Sequence, residues 1–380
     1  MLGFVPWILS YAVPFLVVLT VIVFVHEMGH YLVARWNGIA IQTFSLGFGP
    51  ELFGWNDKHG TRWRLSAVPL GGYVRFLGDM NAASVPDAEA IEAIDPALQP
   101  RLFVNKNVWQ RISVVLAGPV ANVILTFVIL YVLLLGYGRY TIPPVIGAVV
   151  AQSVAEQAGF VAGDRIVSVD GYEVRGFEDF QRFVATSPAR PVTVVLDRAG
   201  AEKTLSVVPE AIDTKDQFGN PQRIGRIGVS RDVSNTDVTL YRPGPIEAFG
   251  MTFEEIHFIV NRTGAFLGDF FVGRGDVEQL GGPVKVAKVS GEVATLGIVA
   301  LINLTALLSL NIGIFNLLPI PMLDGGHLAY YLVEAVRGRP LSQRVQEIGF
   351  RLGFALVLAL MVFTLFNDTL FAYLRGTGKG

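Results

Sequence analysis

The chain has 380 residues, 52% of them hydrophobic and only 16% charged, with a mean hydropathy of +0.48. A soluble domain carries about 25% charged residues, so the composition excludes an ordinary cytosolic enzyme and a disordered chain alike. The net charge of -2 leaves no electrostatic footprint for nucleic acid. Cysteine is absent, so any metal site must draw on histidine and carboxylate, and the redox compartment stays open.

No charge occurs from Met1 to Val25, and Trp7 to Val25 alone supplies 19 residues, close to the roughly 20 that cross a bilayer core. The run lacks the basic leader and small-residue cleavage site of a signal peptide, so it is expected to remain as a first crossing within 1–36. In 37–107, Ile41 to Phe48 and Arg62 to Val68 read as strands. Gly47-Phe48-Gly49 is placed to turn a hairpin dipping into the interface, and Pro69 to Phe76 reads as an apolar edge whose glycines let another backbone come close.

Ile112 to Leu135 is a second uncharged run of 24 residues, inside a crossing at 108–137. The stretch 140–232 changes character. Val145 to Val150, Arg165 to Val169, Val192 to Leu196 and Thr204 to Val208 are strand-like, with turns at Asp170-Gly171 and Ala199-Gly200, and Phe177 to Ala185 has helical spacing. A small β-rich domain with one or two helices is the reading. An amphipathic connector follows at 243–290, suited to a membrane surface or to a face of that domain. A third uncharged run, Val293 to Leu323, has 31 residues broken by Pro319 and Pro321 and lies in 293–326; a shorter fourth, Leu352 to Phe366, lies in 346–374.

Arg35, Lys58, Arg62, Arg64, Arg75, Arg101, Lys106 and Arg111 flank or lie between crossings one and two. Arg337, Arg339, Arg344 and Arg351 do the same for crossings three and four. Both connections therefore read as cytoplasmic, with 136–292 and both termini outside. The fold class is a polytopic α-helical membrane protein with about four transmembrane helices, a cytoplasmic-side membrane-associated β-hairpin region and one extracytoplasmic β-rich domain.

The first crossing ends in His26-Glu27-Met28-Gly29-His30, an H-E-x-x-H pentad. On a helix the two histidines project from one face a turn apart, and Glu27 flanks that face. An ionisable residue at membrane depth costs on the order of 2.5 to 3.5 kcal/mol and is kept for function, and three together need a shared partner, most simply a divalent cation. Satisfied helix-end histidines are the bland alternative. A catalytic zinc keeps three protein ligands and one open position, and the pentad supplies two. His59 in a polar turn and His257 in the outer connector are poorly placed to be the third. Asp324, after Asn316-Leu317-Leu318-Pro319-Ile320-Pro321-Met322-Leu323, is the better candidate, with His327 in competition.

The two prolines break the helix before Asp324, and irregular backbone at membrane depth borders packed protein or a wet cavity. Asn316 can grip a substrate carbonyl there or hydrogen-bond another helix, a reading to which the presence of Asn303 and Asn311 in the same run gives weight. Asn122, in Gly118-Pro119-Val120-Ala121-Asn122, reads as a close-packing and hydrogen-bonding element of crossing two. With zinc, Glu27 as proton acceptor and donor, and a strand edge to hold substrate extended, these parts suit peptide-bond hydrolysis in the membrane.

The chain resembles the site-2 proteases, membrane zinc metalloproteases of regulated intramembrane proteolysis, and in particular the bacterial type that cleaves anti-sigma factors. The likeness rests on the pentad, on Gly47-Phe48-Gly49 and Pro69-Leu70-Gly71-Gly72-Tyr73-Val74, and on the N-x-x-P-x-P-x-L-D-G run from Asn316 to Gly325. It implies that His26, His30 and Asp324 ligate zinc, that Glu27 is the general base and that Asn316 contacts substrate. It also implies an integral inner-membrane enzyme whose partners are a transmembrane protein substrate, the lipid bilayer and a peptide at a PDZ-like outer domain, with no nucleic acid. Gln157 to Ile166 and Val169-Asp170-Gly171 are the PDZ-like stretch. One such domain is visible where the enterobacterial type has two. The alternatives are a membrane H-E-x-x-H protease taking its third ligand from a glutamate, and a catalytically inactive PDZ-bearing scaffold or chaperone.

Overall fold

A computed structural model describes residues 8–79, 91, 93–215, 221–231, 238–272 and 281–377. The chain forms two compact units, one of Met1–Tyr131 with Thr252–Gly380 and one of Val132–Met251. In the first unit a π-turn at Ile8–Ala12 leads into helix α1, Val13–Trp36. Pro14 falls in its first turn, directly after the π-turn. Asn37 stops the helix, and its side-chain amide donates to the Val33 carbonyl at 2.9 Å.

Strands β1 (Ile41–Asn56) and β2 (Arg62–Phe76) pair antiparallel, and both bend. Ile41 to Leu46 lies opposite Phe76 to Gly72, while Glu51 to Asn56 lies opposite Ser66 to Arg62. The first segment is also in register with Arg62 to Leu65. The expected tight hairpin at Gly47-Phe48-Gly49 is therefore corrected. Gly47 and Gly49, at φ +88° and +86°, reverse the chain, but the returning segment pairs with β2 rather than with the segment it left. A side chain at Gly47 would press on the Val68 carbonyl, so this bend and the one at Gly71 are packed together.

The hairpin tip is tied to α1 through Asp57. Its carboxylate accepts from Tyr31 Oη at 2.7 Å, Trp63 Nε1 at 3.1 Å and the backbone N–H groups of His59 and Thr61 at 2.8 and 2.9 Å. Partial burial pushes its pKa up, but these hydrogen bonds outweigh it and hold the group at about 2. A depressed carboxylate contributes stability above its unfolded pKa, and loses it as pH falls through the folded value. Asp57→Ala is thus expected to melt about 2–4 °C lower at pH 7 in detergent, given roughly 1 kcal/mol for such a loss. The gap should narrow as pH falls from about 4 towards 2; melting curves with a pH-independent gap would refute the Asp57 anchor.

Helix α2, Val108–Tyr137, opens on a reciprocal cap in which the Gln110 N–H donates to Asn107 Oδ1 at 2.9 Å and Gln110 Oε1 accepts from the Asn107 N–H at 3.3 Å. Later come α5 (Pro245–Phe271), α6 (Pro283–Ala294), α7 (Ile298–Asn316), α8 (Asp324–Arg337) and α9 (Gln343–Thr377), numbered after the second unit's helices α3 and α4 below. Among the described residues four helical stretches are long and apolar enough to cross a membrane: Leu9–Trp36, Val108–Tyr137, Ile298–Asn316 and Arg344–Phe366. Val17, Val21, Leu32, Val128 and Leu352 point outward and exposed, as lipid-facing positions do.

Two boundaries differ from the sequence reading. The third run is not one helix, since Gly297 at φ +106° separates α6 from α7, and Asp324 opens α8 instead of closing the third crossing. The connector at 243–290 is two helices, and 273–280 lie outside the described residues. A core of Tyr31, Ala34, Ile41, Phe44, Val74, Phe76, Phe103, Val114 and Val115, joined by Leu328 and Tyr331, packs α1, both strands, α2 and α8 against one another.

The second unit is the expected β-rich module with two helices. Strands β5 (Arg165–Val169), β6 (Tyr172–Glu173), β7 (Val192–Arg198) and β8 (Ala201–Val207) form a sheet in the order β6-β5-β7-β8. Six shorter strands pair in twos outside it: β3 (Arg139–Thr141) with Thr239–Tyr241, β4 (Ile146–Val149) with Val229–Arg231, and Glu210–Lys215 with Pro221–Arg226. Asp170-Gly171 and Ala199-Gly200 take consecutive positive φ values, the backbone of a two-residue hairpin turn. Helix α3, Val154–Ala158, is capped by Ser153, and α4, Phe177–Ala185, buries Phe177, Phe180, Phe183 and Val184. Arg198 Nε donates to the buried Asp164 carboxylate at 2.6 Å, tying β7 to the loop before β5.

Candidate metal centre

Four residues apart on α1, His26 and His30 bring their Nε2 atoms to 3.2 Å with the rings nearly perpendicular at 84°. Asp324 Oδ2 stands 3.2 Å from His26 Nε2 and 3.6 Å from His30 Nε2. These three residues form one group whose potential ligand atoms lie within 4.8 Å of one another, the one metal-competent cluster among the described residues.

The donor set fits a cation. Asp324 Oδ2 is buried and accepts no hydrogen bond, although two imidazole nitrogens are close by. Three lone-pair bearers turned on one point lack a positive partner, which a proton shared between them supplies poorly and a divalent ion supplies well. His30 Nδ1 lies 2.8 Å from the Val114 carbonyl. That contact places the ring proton on Nδ1 and leaves Nε2 as the ligand nitrogen.

Asp324 reaches the site because the chain before it is irregular. After α7 the run Leu317 to Leu323 leaves the helix, and Met322 takes φ +91°, a strained value for a residue with a side chain. Gly325 and Gly326 then fold back under this run. A Cβ at Gly325 would meet the Leu317 and Leu318 carbonyls, and one at Gly326 would lie 2.7 Å from Pro321 Cα. The D-G-G sequence is thus a requirement of backbone approach. At its far end α8 is held to α2, where Arg111 pairs with Glu334 and lies 4.8 Å over the Tyr331 ring.

Glu27 is buried beside the histidines, and β2 crosses it at Gly72. A Cβ on Gly72 would lie 3.1 Å from Glu27 Cγ and 2.8 Å from Val23 Cγ1. The glycine-rich edge noted in the sequence therefore lies directly on the candidate base.

Asn316 closes α7, half-buried, and its side-chain amide makes no hydrogen bond among the described residues. His327 lies one turn into α8 with its ring centroid 6.5 Å from that of Tyr331, outside the ligand group. His59 is in the exposed hairpin tip and His257 on the exposed side of α5. Sequence reasoning undervalued Gly118 and Asn122. A Cβ at Gly118 would collide with the His30 ring and lie 2.8 Å from His26 Cε1, and the Asn122 side chain touches His26. Their four-residue spacing opposite the pentad was the available signal.

Apolar spanning helices that enclose a histidine pair, a carboxylate with no hydrogen-bond partner and a neighbouring glutamate define a membrane-embedded metallopeptidase. The chain matches Peptidase family M50 over residues 14–360 and belongs to that family, as an integral membrane zinc metalloprotease. It is 48% identical over 363 residues to a protein of Rhizobium meliloti named as a candidate zinc metalloprotease, covering 95% of this chain and 96% of the relative. Metalloprotease MmpA of Caulobacter vibrioides is 37% identical over 392 residues, covering 97% and 96%. Among solved structures, the PDZ domain of an SdrC-like protein from Listeria monocytogenes aligns with 24% of this chain and 90% of its own at 20% identity and a TM-score of 0.19.

Proposed function

We propose that this protein is an intramembrane endopeptidase that cuts single-pass membrane proteins, of the anti-sigma-factor kind, within or near their transmembrane segment. His26, His30 and Asp324 hold zinc in this reading, Glu27 is the general base and Asn316 binds substrate. The observation that carries it is the convergence of two histidines and Asp324 Oδ2 on one point at the end of an apolar spanning helix.

The chemistry that zinc supplies in such a site is Lewis acidity toward the scissile carbonyl and toward water. Glu27 takes the proton of the attacking water at its carboxylate and passes it to the leaving amine. Its burial under Gly72 shields that transfer from bulk solvent. The β2 edge beside it suits substrate held as an added strand, because a peptide bond inside an intact helix is closed to attack. The free Asn316 amide is available to hold the substrate carbonyl. The positive-residue bias favours 37–107 and the α8–α9 connection on the cytoplasmic side of an inner membrane, with the β-rich module outside as a PDZ-like filter or peptide binder.

The purified full-length protein is expected to carry about one zinc per chain, and His26→Ala to lose both metal and proteolysis. Zinc bound as tightly by His26→Ala as by wild type would sink the ligand set. The inactive Glu27→Gln protein in its own membranes should retain a single-pass protein, identified by what copurifies. Only soluble proteins copurifying would contradict the intramembrane reading.

A further inference from the structure

Val114, Gly118 and Asn122 form one stripe of α2, spaced four residues apart, and all three face the pentad. The Val114 carbonyl holds His30 Nδ1 at 2.8 Å, Gly118 underlies both rings, and the Asn122 side chain meets His26 Nδ1 at 3.3 Å. Each imidazole thus has an oxygen-bearing group of α2 at the nitrogen turned away from Asp324. For His30 that group is backbone; for His26 it is a side chain.

Asn122 is fully buried and its backbone is fixed. Its carbonyl accepts from Ser309 Oγ and from Thr126 Oγ1, each at 3.0 Å, and Gly313 lets α7 approach so closely that a Cβ there would lie 3.3 Å from Asn122 Cβ. The amide has one end against His26, while Oδ1 is buried with no hydrogen-bond partner. Packing alone does not account for such a group, since an apolar side chain would leave no polar atom unpaired. The two ends of the amide are isosteric, so a half-turn of the side chain puts Oδ1 where Nδ2 stands without moving a neighbour.

We propose that Asn122 is a positioning residue for the metal: its Oδ1 accepts the Nδ1 proton of His26, which fixes the tautomer that leaves Nε2 as an electron pair facing Asp324. A cation on Nε2 acidifies the Nδ1–H and strengthens that hydrogen bond, so metal and amide orientation support each other. The inference rests on His26 being a zinc ligand.

The test is a zinc titration of the detergent-solubilised full-length protein against a chelator of known affinity. Asn122→Leu, which keeps the branched outline and removes the acceptor, is expected to weaken zinc binding about 10- to 100-fold. Asn122→Asp, which keeps an oxygen at the same place, should restore affinity to within a few-fold of wild type. Wild-type affinity in Asn122→Leu, or an equal loss in both variants, would overturn the proposal. Should the leucine variant not fold, nitrogen-15 spectra of the metal-free wild type decide, since His26 with its proton on Nδ1 and a bare Nε2 supports the assignment and the Nε2–H tautomer refutes it. A wild type that binds no zinc at all removes the ligand set itself, an outcome distinct from wild-type affinity in Asn122→Leu.

Discussion

Glu27→Gln is expected to lower peptide-bond hydrolysis by at least about 10²- to 10⁴-fold, the usual contribution of a positioned general base, while zinc content stays at the wild-type level. The two expectations separate because Glu27 lies outside the ligand group of His26, His30 and Asp324. Glutamine matches glutamate in size, so the tight passage of Gly72 over the side chain, 3.1 Å from Cβ to Glu27 Cγ, is undisturbed and the β2 edge keeps its place. What is lost is the capacity to accept a proton. Zinc content by atomic emission and cleavage of a trapped single-pass substrate in mixed micelles read the two effects apart. Substantial cleavage in the variant would transfer the base to another group, and lost zinc would mean that Glu27 shapes the metal centre.

This pairing of base and strand edge joins two motifs that the sequence presents some 45 residues apart, at Glu27 and at Gly71-Gly72. A residue with any side chain at position 72 would meet Ser45 O, Val23 Cγ1 and Glu27 Cγ at once. The hairpin is further pinned to the same helix by Asp57 and Tyr31, the latter next to His30 in the chain. One helix therefore carries two candidate ligands, the candidate base and the anchor of the strand proposed to present substrate. That arrangement fixes the distance between substrate backbone and base without relying on long loops.

Where a pattern is local, the chain announces it. The uncharged runs, the pentad, helix Phe177 to Ala185 and the Ala199-Gly200 turn all follow from periodicity or from two adjacent residues with special backbone. What depends on distant segments meeting is silent. The break at Gly297 is one uncharged residue in a run of 31. The path through Gly47-Phe48-Gly49 turns on which strand the returning segment joins, a choice made by β2 and not by the glycines. Asn122 looks like any polar residue in a spanning helix until α2 is seen to face His26. The choice between Asp324 and His327 belongs here too, since the backbone from Leu317 to Gly326 determines which side chain turns toward the pentad.

That choice sets the largest expected effect on metal binding. Asp324→Ala should reduce zinc affinity by well over the roughly 100-fold that outer-sphere changes reach, whereas His327→Ala should bind zinc as wild type does. Asp324 supplies the one anionic atom of the group, within 3.2 and 3.6 Å of the two imidazole nitrogens, and that atom has no hydrogen bond to hold it otherwise. His327 turns toward Tyr331 instead. Asp324→Asn separates charge from shape: the oxygen remains while the negative charge goes, so its affinity should fall between alanine and wild type. The three variants need only the chelator competition and a check that each elutes as the wild type does. Full zinc occupancy in Asp324→Ala with loss in His327→Ala would move the third ligand one turn along α8.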